Sequence, residues 1–176
     1  KFRGKYPVEV IPVYTDKTEV LLFFLERGFF PRGASGELHD LSVLLKEVIE
    51  NNGTEFIRLL KGGGNLPAIR KRLAYQFADG ELEMIVRAAE PSEATFVQVY
   101  VRYLIVSHGR LRHPEITARD HRNVVWQVVL AYLLFDSGSF FSRKQMVGQT
   151  IRGLAAHFNL DFFYLLQLLT AGLKKF

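Results

Sequence analysis

The residues able to do chemistry in this chain are few, and their spacing argues against catalysis. Cysteine is absent, which removes the thiolate nucleophile and any disulfide together. No serine stands in a Gly-x-Ser-x-Gly setting, the strained strand-to-helix turn that presents a nucleophilic hydroxyl. His108 and His113 lie five residues apart, with Asp120 and His121 following. A metal needs three or four converging ligands with partners behind them, so these residues predict a solvated polar loop. Asp40 follows His39, and Asp120 precedes His121, but adjacent side chains diverge on a helix and form no acid–base pair. In Lys61-Gly62-Gly63-Gly64 the lysine precedes the glycines and no Lys-Ser or Lys-Thr follows, which describes a hinge and not a phosphate cradle. The sequence therefore predicts no catalytic residue, no cofactor and no metal, in a chain that is not an enzyme.

What remains is charge and aromatic surface. Lysine and arginine number 23 against 18 acidic residues, a net charge of +5, and a basicity of this size suits nucleic acid, anionic lipid or an acidic protein partner. Arg70-Lys71-Arg72 and the segment 107–122, with Arg110, Arg112, Arg119 and Arg122, concentrate it. A nucleic-acid groove interleaves such residues with stacking aromatics. Tyr75 and Phe77 are near, but Phe77 falls on an apolar stripe, so both basic features read as solvated faces. The 15 phenylalanines say more. Phe29, Phe30, Phe140 and Phe141 fall between helical segments, where a large apolar ring either plugs a neighbouring helix pair or meets a partner.

The elements that must position these rings read as helices. Residues 1–15 form an extended lead-in, because Val8, Val10 and Val13 favour strand while Pro7 and Pro12 confine it to an edge. Thr15 or Asp16 caps a helix through Leu25, which Gly28 and Pro31 stop. A stripe from Leu38 to Ile49 predicts a second helix ended by Asn51-Asn52-Gly53, and Thr54 caps a third through Leu60. Asn65-Leu66-Pro67 restarts the chain toward Gln76 and Phe77, Asp79 caps the next helix, and Pro91-Ser92 closes it and caps another reaching about Val106. That last segment is β-branched enough to pass for a strand, but its length and lack of a pairing partner favour helix. Beyond the basic loop 107–122, a helix from Asn123 to Phe135 carries the only tryptophan, Trp126, with Tyr132 and Leu133. Ser142 and Gln145 match a capping box, and Phe141 stands at staple distance from Met146. A helix to about Phe158 and a terminal one after Asp161 complete an all-α bundle of seven to nine short helices.

A chain of 176 residues, 48% hydrophobic and 23% charged, folds as one domain of ordinary size. The longest apolar stretch, Val124 to Phe135 broken by Gln127, is too short to span a bilayer, which takes about 20 residues. Lys1 stands where Met would begin a chain, so a piece of a longer or processed protein is expected. Residues 21–31 and 129–141 echo one another as apolar helix, glycine, then Phe-Phe, and residues 52–60 echo 159–166, roughly 105–110 positions apart. This predicts either two related helical modules, 16–106 and 123–176, joined by the loop 107–122 and able to pack as one domain, or two amphipathic hairpins that share loop chemistry.

The segment from Val20 to Pro31, Val-Leu-Leu-Phe-Phe-Leu-Glu-Arg-Gly-Phe-Phe-Pro, resembles the Leu-Leu-x-x-Leu-x-x-Gly-x-Leu-Pro-Trp element of the tape measure proteins of contractile injection systems. Residues 72–79, 125–134, 139–143 and 154–161 resemble later elements of that family in the same order. Arg32 stands where the family favours Trp, and an Asn-Ala-Gly-Leu-Val-Leu-Leu element is absent, which a middle fragment would explain. The resemblance singles out Leu25, Gly28, Phe29, Phe30, Pro31, Gln76, Phe77, Trp126, Tyr132, Leu133, Phe140 and Phe141 as motif and interaction residues. It implies a non-catalytic assembly role: occupying the nascent tube, setting its length, and engaging tube, hub or cap components, with self-association a further outcome. It also implies cytoplasmic assembly followed by residence in the particle. A helical nucleic-acid- or protein-binding domain is the alternative, with nucleic acid not the expected partner. As one straight helix the chain would reach about 260 Å, against a radius of gyration of about 16 Å when compact. Its glycines and prolines forbid the rod, so an anchoring or plug module is expected.

Overall fold

Asp16 accepts a hydrogen bond from Thr18 N at 2.7 Å and opens α1 (Lys17–Arg27) in a computed structural model that describes residues 16–34, 40–64, 66–111, 116–136 and 140–173. The next helices are α2 (Leu41–Gly62), α3 (Leu66–Gln76), α4 (Asp79–Ala89), α5 (Ala94–Val106) and the single turn α6 (His108–Leu111). After them come α7 (Ala118–Ala131), a π-helical turn (Tyr132–Asp136), α8 (Arg143–His157) and α9 (Phe162–Leu173). No strand occurs among the described residues, so the all-α expectation holds. The β-branched segment before Val106 is helix. The expected lead-in, residues 1–15, lies outside the described residues, as do Leu38 and Asn65.

α7 sits at the centre, packed by α3, α5 and α8. Its buried residues, among them His121, Val124, Val125, Trp126, Val129 and Leu130, leave little of its circumference to water, which is how an interior helix reads. α4 bridges α2 and α5, α1 lies on α2 and α3, and α9 closes over α8 and α6. One hydrophobic cluster runs from Val20 to Leu169 and includes Phe56, Leu82, Trp126, Tyr132 and Leu154. Each wholly buried large side chain contributes about 1.5–3 kcal/mol relative to exposure. α8 can approach α7 this closely because position 153 is glycine: a Cβ there would lie 2.8 Å from Val128 Cγ1.

Several boundaries differ from the sequence reading. Residues 41–62 form one helix broken only at Asn52 (φ −138°, ψ 28°). Asn52 leaves helical φ/ψ and divides α2 into two helical segments across a kink, so the break expected at Asn51-Asn52-Gly53 is present, though no gap separates the two segments. Gly62 ends α2, and Gly63 N bonds Leu60 O at 3.2 Å, which gives this glycine run a helix-stop role. α4 is preceded by Ala78, whose N–H is taken by Glu81 Oε2 at 2.7 Å, because the Asp79 carboxylate is engaged elsewhere. α5 starts at Ala94 after Glu93 rather than at Ser92. α7 starts at Ala118, capped by Thr117 accepting from Asp120 N at 3.1 Å, so the end of the expected basic loop is helix. His113 and Arg112 lie outside the described residues.

Candidate interaction site

The motif residues divide into rings that seat and rings that do not. Gly28 adopts φ +87° and donates its N–H to Phe24 O at 2.7 Å, the left-handed stop that only glycine takes cheaply. The chain turned by it places Phe30 on Phe24 with stacked rings 5.1 Å apart and leaves Phe29 61% exposed, edge-on to Phe23 at 5.6 Å. Pro31 is buried behind them. The second aromatic pair repeats this arrangement. Phe141 lies edge-on to the wholly buried Tyr132 at 5.6 Å, while Phe140 is 86% exposed. In both pairs the first phenylalanine points out and the second docks on a ring from the preceding helix end.

The capping signal at Ser142 is real but shared. Ser142 Oγ accepts from Gln145 N at 3.3 Å, as a capping box requires. The reciprocal arm comes from Tyr132 instead: its hydroxyl accepts from Ser142 N at 2.9 Å and donates to Ser142 O at 3.0 Å. Tyr132 thus fixes the start of α8 from the π-helical turn, next to the wholly buried Leu133.

The other motif residues meet at the junction of α3 and α7. Gln76 is exposed at the end of α3, and Phe77 is buried after it. Trp126 is wholly buried and donates its indole N–H to Asp79 Oδ1 at 2.7 Å, the partner that a buried indole requires. Arg122 Nε reaches the same oxygen at 2.7 Å. The rest of its guanidinium donates to Phe77 O at 2.8 Å, to Asn123 Oδ1 at 2.8 Å and to Ala74 O. A cation on the last carbonyls of α3 opposes the negative end of the helix dipole.

Distant side chains bond three further helix carbonyls. Arg72 donates to Leu25 O, the end of α1, with its guanidinium over Gly28, where a Cβ would fall 2.9 Å from Nε. Tyr103 donates to Leu169 O on α9. His121 Nε2 pairs with Leu104 O at 2.8 Å near the end of α5. Burial holds His121 below its ordinary imidazole pKa; His108 nearby pushes the same way, and the bond to Leu104 opposes both. Tyr100, bonded to Thr150 Oγ1 at 2.6 Å between α5 and α8, is pushed up to about 12 by burial. Arg72 and Arg122 are therefore not the solvated face expected of them. The backbone carbonyls they close lie 45 to 48 residues away, and sequence spacing carries no signal for such contacts.

Among the described residues no group of three or more His, Asp or Glu could hold a metal ion, and no helix is long and apolar enough to cross a membrane. A family model described as contractile injection system tape measure protein matches residues 11–175. The chain belongs to that family. No curated protein and no solved structure matches it significantly. The tape measure family is a structural one, and its members belong to the injection particle. All five segments that carried the sequence resemblance lie inside the matched span. In this tape measure chain they map to the end of α1, the end of α3, α7 with its π-helical turn, the start of α8 and the end of α8.

Proposed function

We propose that this chain is a non-catalytic docking module of the tape measure protein, engaging tube, hub or cap components through Phe29 and Phe140 and so helping to fix tube length from its ends. One observation carries the reading: each Phe-Phe pair keeps one ring seated on a helix end and exposes the other, 61% for Phe29 and 86% for Phe140. An exposed ring beside an anchored neighbour presents apolar area at reduced ordering cost, as an interface anchor does. Among the described residues the longest helix, α2, has 22 residues and is kinked at Asn52, so it spans less than the roughly 33 Å of a straight helix, which suits a plug better than a ruler. The related modules 16–106 and 123–176 would each contribute one anchor.

The test is co-purification with tube and hub components. The variant carrying both Phe29→Ser and Phe140→Ser keeps its melting temperature and loses association. Retained association with both rings removed would defeat the proposal.

A further inference from the structure

We propose a second binding site, independent of the aromatic tips: a groove of about 340 Å³ between α3, α7 and α8 that takes an acidic peptide segment of a partner protein. Its floor is Val124, Val128 and Ala131, closed against α8 at Gly153. Its walls carry Arg70 and Arg152, with the amides of Gln127 and Gln149 between them. No carboxylate lines it.

The two guanidiniums are held but not neutralised. Arg70 lies over the Phe135 ring at 5.8 Å and Arg152 over Phe162 at 5.7 Å, and neither forms an ion pair among the described residues. Arg70 is half-buried and Arg152 exposed, and both differ from the half-buried Arg72 and Arg122. Arg72 and Arg122 spend their donors on helix ends, whereas Arg70 and Arg152 keep theirs for a ligand. A guanidinium fork matches a carboxylate bidentately, and a glutamine amide can pair with both faces of a peptide backbone. The apolar floor suits the aliphatic side chains between acidic ones. The one aromatic ring in the lining, the His157 imidazole, stands edge-on to Phe158 at 5.2 Å, so the groove lacks the succession of rings on which single-stranded nucleic acid stacks its bases.

The test titrates the 176-residue chain with a fluorescein-labelled peptide of alternating Glu and Leu, and with the same peptide carrying Gln for Glu. The Glu peptide binds and the Gln peptide binds at least about tenfold more weakly, as does the Glu peptide to Arg70→Gln or Arg152→Gln, each of which removes a charge-assisted hydrogen bond. Lys144→Gln, which removes the same charge from an exposed position on α8 outside the groove, changes binding by less than about twofold. Circular dichroism checks that each variant folds. An independent readout in the unsubstituted protein is the side-chain NH₂ resonances of Gln127 and Gln149, which shift on adding the Glu peptide. Four results would each overturn the proposal: no binding of the Glu peptide, equal binding of the Gln peptide, an equal loss with Lys144→Gln, or unmoved glutamine resonances. So would tighter binding of a single-stranded oligonucleotide or inorganic phosphate that the same arginine variants abolish.

Discussion

Trp126 Nε1 donates to Asp79 Oδ1 at 2.7 Å across 47 residues of sequence, tying the central helix to the first turn of α4. The same oxygen holds Arg122, whose other donors close the end of α3. One carboxylate thereby organises the meeting of three helices, and its value rests on the indole it satisfies. The ion pair with Arg122 is half exposed on the Asp79 side and is screened accordingly.

Asp79→Ala leaves a buried indole N–H without a partner, and the expected loss is about 1–3 kcal/mol in urea unfolding. Asp79→Asn retains an acceptor and costs less. Trp126 is the only tryptophan, so its emission reports the change directly: a spectrum and midpoint unaltered in Asp79→Ala would refute the role of this bond.

Helix α8 carries two glycines with opposite expectations. A Cβ at Gly148 meets nothing within 4 Å, so Gly148→Ala stabilises by about 0.5–1 kcal/mol through helix propensity alone. A Cβ at Gly153 meets Val128 Cγ1 at 2.8 Å, and Gly153→Ala destabilises by about 1–3 kcal/mol through overpacking. Thermal melts of the two variants should move in opposite directions.

His121 makes stability depend on pH. Its folded-state pKa lies below the ordinary 6.5, so the unfolded chain binds the proton first. Its contribution is fully present above about pH 6.5 and is lost as pH falls through the depressed folded value. The cause is visible at Nδ1, which is buried without a partner, so a proton arriving there would have no acceptor. Denaturant midpoints measured from pH 8 to pH 5 should fall below pH 6.5, and His121→Gln should flatten that slope. A slope identical in both proteins would remove His121 from the explanation.

The sequence revealed what local chemistry determines. Asp16, Gly28 and Ser142 each act within a few residues, and the stops and caps they predict are present. The break expected at Asn51-Asn52-Gly53 is also local, and it is present as the kink at Asn52 between two abutting helical segments. The captures of Leu25 O by Arg72 and of Ala74 O by Arg122 span 47 and 48 residues. No periodicity encodes such contacts, and an arginine that closes a distant helix reads the same in sequence as one in water. The aromatic pairs were legible as unusual, while which ring seats was decided by the turn geometry at Gly28 and by Tyr132.

Phe140 and Phe141 separate packing from docking. Phe141→Ala removes the ring that lies edge-on to Tyr132, at a cost of about 2–4 kcal/mol. Phe140→Ala changes stability by less than about 0.5 kcal/mol, as exposed substitutions do, while weakening association. Equal large losses of stability would make both rings core plugs.

The most direct measurement places a photo-crosslinking benzoylphenylalanine at position 140 of the full-length tape measure protein and irradiates assembled particles. Docking through the outward ring predicts a crosslink to a tube, hub or cap component, absent when the same group replaces the exposed Val99. Crosslinks found only within the tape measure protein itself, or equally at both positions, would contradict it.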